Sequence, residues 1–342
     1  MSKLNPIEKE VREVVARYFE AHPEKAQDFR FTAIGSLQPT APTIAPGGVG
    51  WIQAPFIGQY LAPDIQGGRD QRLVWVEYGD DSLVVDDDIV APDGPVKPVD
   101  SGMTLHTEDI LVHGRSASID AGQARMAAAM GLNLVEVKSA MPRKLVELGK
   151  EKATADFFKT VGNYESSLHY ETLGGTDAFN DQNSDPIAKL RSYATVVRNA
   201  CGARPNRVGF GYSAMDALSW NKSILDLLKT ANTLGNGIPV TAQVVAILLN
   251  MDVVVGEAIY RDRSGGTTQD VWGDNAYMVY VGGEQLSDPK FAMTAVSPDF
   301  PKVIPMTSQK GLEGGQEIRF GDCYKTYSCW KRAGAALFDC VQ

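Results

Sequence analysis

Residues able to do chemistry are few in this chain and poorly grouped. The densest cluster is "DDSLVVDDD", residues 80–88, whose carboxylates could in principle meet a hard divalent cation. It lacks the fixed ligand spacing and the turn glycine of a calcium loop, so it reads better as a solvated acidic turn. His106 and His113 lie seven residues apart in a stretch of strand or loop character, with no third ligand in view. Both are read as structural. Cys201, Cys323, Cys329 and Cys340 are irregularly spaced, without the closely paired ligands that announce zinc, and are read as buried free thiols. "GGVG" (47–50) neither follows a clear strand nor ends in Lys–Ser or Lys–Thr, which argues against a phosphate loop. No Gly-x-Ser-x-Gly elbow occurs. The expectation is a chain that is not an enzyme, with no catalytic, cofactor-binding or metal-ligating residues.

Composition narrows the classes further. The 342 residues, 44% hydrophobic and 22% charged, suit a folded protein with a sizeable core. A formal charge of -9 argues against a dedicated nucleic-acid binder, which needs a basic stripe to displace counterions from phosphates. No run approaches the ~18 consecutive apolar residues of a membrane span, so no membrane partner is expected. The opening "MSKLNPIEKEVREVV" has no apolar signal-peptide core, which points to cytoplasmic synthesis.

The elements available to position side chains begin with a helix from Asn5–Pro6 through about His22, with Ile7, Val11, Val14, Val15 and Phe19 on one face. Residues 32–70 are rich in Pro and Gly, an extended arm that needs another surface to offset its ordering entropy. Residues 71–116 read as a long exposed hairpin, "RLVWVEYG" and "LHTEDILVHG" flanking an acidic, Pro-rich interior. Arms of ~18 residues would reach roughly 60 Å. Neither flank alternates cleanly, so the buried face is not assigned. A helical zone from Asn133 to Val161, about 40 Å long, places Leu134, Met141, Leu148 and Ala155 at heptad spacing, with Val137, Leu145 and Phe158 beside them. Lys144, Glu147, Lys150 and Glu151 fall on the opposite, solvated face. Pro142 should kink this helix or join two.

Ser184–Asp185–Pro186 opens another helix, striped by Ile187, Leu190, Ala194 and Val197. A turn at Gly202, Pro205 and Asn206 then leads to a strand at Val208–Gly211 and a helix capped by Ser213, with Asp216 as a short capping-box partner. Its apolar face is Ala214, Leu218 and, after a break at Asn221, Leu225 and Leu228. Thr241 caps a helix over 241–249, and strands follow at 251–260, 276–281 and 290–296. Residues 316–342 read as two or three short strands. The class is α+β, with the chain returning at its end to an earlier domain.

The order of these pieces carries more than any one of them. Gly202–Ala203–Arg204–Pro205–Asn206, the Val-rich strand Val253–Ala258 and the turn Trp272–Asp274 follow a long helix and an extended hairpin. In this the chain resembles the major capsid protein of tailed bacteriophages, best from about 118 to 300. The resemblance implies an N-terminal arm (1–70), an extended loop (71–116), a peripheral domain with a spine helix (117–200), an axial domain (201–300) and strands returning to the peripheral domain (301–342). It implies self-assembly through pentamers and hexamers into an icosahedral shell around double-stranded DNA, held without sequence-specific contacts. Scaffolding, portal and decoration proteins are the implied partners, and a virion assembled in the host cytoplasm the implied location. Lys97 sits at a plausible loop tip, yet no partner residue for a crosslink is identifiable and none is expected. The alternatives are an encapsulin-like nanocompartment shell, which shares the fold, and a soluble enzyme with an acidic metal site at Asp80–Asp88.

Overall fold

The computed structural model describes residues 53–67, 71–78, 89–90, 94, 96, 103–129, 134–231, 240–263, 265–283, 285–286, 288–308 and 314–342. All of them belong to the unit spanning residues 52–342. The helix expected over 5–22, most of the arm, "GGVG", the acidic run 80–88 and Lys97 lie outside the described residues.

A short helical turn α1 (Gly58–Leu61) leads into β1 (Asp64–Gln66), and then β2 (Arg72–Tyr78) and β3 (Met103–Asp109) pair as a hairpin. β4 (Leu111–Asp120) runs into α2 (Ala121–Ala129) and the long α3 (Leu134–Lys159). After β5 (Tyr170–Thr172) come α4 (Pro186–Cys201), β6 (Arg207–Gly211), α5 (Tyr212–Trp220), α6 (Lys222–Ala231) and α7 (Ala242–Leu249). The remaining strands are β7 (Asp252–Gly256), β8 (Ile259–Tyr260), β9 (Gln269–Asp270), β10 (Ala276–Val279), β11 (Ala292–Val296), β12 (Lys302–Ser308), β13 (Gly315–Ser328) and β14 (Gly334–Phe338). The chain is α+β, as expected.

Two five-stranded sheets organise it. In the first, β13 is the hub: it pairs antiparallel with β4, β11 and β12, and β1 adds in parallel beside β11. Alternation along β13 sends Phe320 and Tyr324 to one face, where they meet Val146 of α3. Cys323 and Tyr327 point to the other face and join Ile65, Leu73, Trp75, Ile110, Met293 and Ala295 in a second core. The hairpin therefore has an inner face, Leu73 and Trp75, and an outer face where Val74, Val76 and Leu105 are exposed. Tyr327 Oη fixes its root by donating to the Asp109 carbonyl at 2.6 Å.

The second sheet has the order β5-β14-β10-β6-β7, and its core includes Val208, Phe210, Tyr277, Met278 and Leu337. The stripe expected on α4 is buried in it, and Asp185 caps that helix by accepting from the Ala188 amide at 3.0 Å. Gly202 ends α4 with φ 76°, a left-handed backbone that favours glycine. Residues 301–342 divide between the sheets, β12 and β13 in the first and β14 in the second.

Several local expectations change. The helix at α5 starts two residues earlier, with Gly211 and not Ser213 at its N-cap and no side-chain cap. Glycine is dictated there by contact: a Cβ at Gly211 would lie 1.8 Å from the Gly273 carbonyl oxygen. Thr241 occupies the N-cap of α7 but its hydroxyl makes no capping bond. The apolar run 251–260 is two strands, β7 and β8, broken after Gly256. Conversely, the tail holds two strands, β13 and the short β14, and β13 is long because β4 and β12 flank most of its length.

The largest change concerns α3. It is one helix through Pro142, not a junction of two, although that residue removes an amide that would bond the Lys138 carbonyl. Its buried face carries Pro142, Val146, Glu151, Thr154, Ala155 and Phe158, while Met141 and Leu145 of the expected stripe are 67% and 53% exposed. A helix lying on a sheet follows its own 3.6-residue period, so a heptad frame drifts off the contact line.

Candidate assembly surfaces and their anchors

The residues flagged for chemistry are dispersed by the fold. His106 on β3 stacks on Trp75 with ring centroids 5.3 Å apart and places Nε2 2.8 Å from Glu77 Oε2. His113 on β4 stacks on Tyr324 at 4.1 Å. Each histidine is thus a packing partner of a different aromatic ring. Cys201, Cys323 and Cys340 are buried, Cys329 is partly so, and all are free thiols. Burial raises each of them, Cys329 to about 12, which holds the sulfur in its unreactive protonated form. Among the described residues no three His, Cys, Asp or Glu side chains are placed to hold a metal.

What the fold does bring together is a set of polar ties along α3. Glu151, expected on the solvated face, is only 4% exposed. Its Oε1 accepts from the Ile57 amide at 2.8 Å, the Gly58 amide at 3.1 Å and Trp272 Nε1 at 2.7 Å. Burial raises this carboxyl above the ordinary carboxylate range, against the pull of those donors and of Lys150. Two turns on, Lys159 Nζ donates to the Val271 carbonyl at 2.7 Å, and burial lowers that amine. Lys150 pairs with Asp64 at 2.7 Å, and Thr154 Oγ1 lies 3.1 Å from Thr326 Oγ1 on β13. One helix thus pins the root of the N-terminal segment, β1, the 270–274 turn and the central strand. The sequence signal was present but inverted: Glu151 precedes Ala155 and Phe158 at the i+4 and i+7 positions of the buried stripe.

Opposed to these anchored interiors are apolar side chains left in the open. Leu105 on the hairpin is 66% exposed; Met126 and Met141 near the start of α3 are 65% and 67% exposed. Val303, Ile304 and Met306 make β12 an apolar strand exposed on both faces. Ile247 on α7 and Leu227 on α6 add a further patch at the second sheet's helices. Such faces gain free energy by removal from water, at about 25 cal/mol per Å².

No protein-family model and no curated protein matches the sequence. Solved structures do match it. A phage-related protein from Bordetella bronchiseptica aligns over 85% of this chain and 94% of its own, at 18% identity and TM-score 0.64. A capsid structure of cyanophage P-SCSP1u covers 87% of this chain and 92% of its own, at 9% identity and TM-score 0.57. The SrpI encapsulin from Synechococcus elongatus covers 92% of this chain and 96% of its own, at 8% identity and TM-score 0.54. The arrangement of two sheets, spine helix and outlying hairpin is the fold that tailed-phage capsids and encapsulin shells share.

Proposed function

We propose that this chain is the major capsid subunit of a tailed phage, building an icosahedral head shell from pentamers and hexamers around double-stranded DNA. The observation that carries the reading is a capsid fold over nearly the whole chain, joined to apolar surfaces on the hairpin, α2–α3 and β12 that a lone subunit leaves wet. Closed shells need heterologous contacts that repeat under rotation, and projecting elements supply them. In this reading residues 1–70 are an arm, 71–116 the loop reaching over a neighbour, 117–200 the peripheral domain, 201–300 the axial domain and 301–342 the returning strands. The chain is a building element and not a catalyst. An acidic subunit also suits a container that must hold DNA without gripping its phosphates. Scaffolding, portal and decoration proteins would be its partners, and the virion its destination. Electron microscopy of the purified chain, alone and with the neighbouring gene products, should show shells, tubes or capsomer rings. A compact monomer under every condition would refute the reading, and a shell that encloses an enzyme would transfer it to the encapsulin class.

A further inference from the structure

One pocket falls outside the assembly reading. It has a volume of about 270 Å³ and opens beside α5, where Tyr212, Asp216 and Trp220 stand four residues apart along one helix face. Tyr212 is 52% and Trp220 72% exposed, an unusual state for two large aromatic rings in one row. Gln182 and Asn180 also line it, and Asn180 already holds the Gln342 backbone through its Nδ2 at 2.6 Å. Among the described residues the side chains of Tyr212, Ser213, Asp216 and Gln182 make no polar contact. No Lys or Arg lines the pocket.

We propose that this pocket binds an organic cation, an alkylammonium or guanidinium group. The rings of Tyr212 and Trp220 each carry a quadrupole that attracts a cation, and Asp216, four residues from each along α5, supplies the countercharge. Anions are opposed by the same carboxylate. The volume lies just below the ~300–1,000 Å³ of pockets for drug-sized ligands, which suits one head group. The cation could be a free amine or the Lys or Arg side chain of another chain; the chemistry of recognition is the same.

The test uses full-length protein labelled with fluorotryptophan, with the Trp220 resonance assigned through Trp220→Phe. N-acetyl-arginine amide should move that resonance alone and saturably, while the uncharged isostere N-acetyl-citrulline amide should not. Asp216→Asn, on an exposed site that leaves packing intact, should weaken binding about threefold, the range of an exposed ion pair. No saturable shift, or equal shifts from arginine and citrulline amides, overturns the proposal. So does a shift by methyl glucoside that Asp216→Asn leaves unchanged, which makes the pocket a sugar site. Protection of Trp220 from acrylamide quenching in assembled particles, relative to free subunit, assigns the cation to a neighbouring chain. Equal quenching with retained arginine binding assigns a free amine.

Discussion

Glu151 receives three N–H groups from two separated parts of the chain, Ile57–Gly58 and Trp272, inside the protein. A carboxylate offers only acceptors, and that is what three convergent donors require. Glu151→Gln can keep a carbonyl oxygen at the Oε1 position but puts an amide NH2 where Oε2 accepts from the Gly58 amide at 3.0 Å, and a buried N–H left without an acceptor costs about 1–3 kcal/mol. Urea unfolding should show the loss; an unchanged midpoint would mean the donors are otherwise satisfied. His169 makes a second prediction at this scale. Its ring is buried, Nδ1 lies 3.2 Å from Ser166 Oγ, and among the described residues Nε2 has no partner. Burial lowers its pKa, so the folded protein prefers the neutral ring while the unfolded chain takes up a proton below about 6.5. Its contribution is therefore present above that pH and is lost as pH falls. His169→Gln should flatten the decline in urea midpoint between about pH 7 and pH 5; an identical slope in both proteins would exclude His169 as its source.

At the scale of elements, folding and assembly separate. Phe158 on α3 is fully buried and packs with Trp272, Tyr277 and Phe291 at ring distances of 5.4–5.8 Å. Phe158→Ala should cost about 3–5 kcal/mol and lower the melting temperature. Deleting residues 80–101 removes an acidic, Pro-rich stretch with few large apolar groups. The shortened subunit should melt normally by circular dichroism yet fail to build particles by sedimentation. Unfolding, or undiminished assembly, would rule out this stretch as a loop between subunits.

For the whole molecule, the balance lies between apolar faces that gain by contact and a formal charge of -9 that repels copies of itself. Salt screens the repulsion over about 10 Å at 0.1 M and strengthens apolar burial when it is a sulfate or phosphate. Light scattering should therefore rise with salt at fixed protein concentration. A fall would show that ion pairs between subunits, and not apolar contacts, hold the particles.

What was legible without the structure was local or ordinal. The stripe of α4 repeats within one helix, Asp185–Pro186 marks its start, and the succession of long helix, Gly-Pro-Asn turn, Val-rich strand and Trp-Gly-Asp turn is linear information. Those features sufficed for the α+β class and for the resemblance to phage capsids. The burial of Glu151 was not legible, because its partners lie 94 and 121 residues away and no local pattern encodes them. The same holds for the inner face of the hairpin, which Trp75 acquires by packing on Tyr327, and for the length of β13, which depends on β4 and β12 arriving beside it. Periodicity records what a segment could bury; only the fold decides which neighbour arrives to bury it, and so which face turns inward.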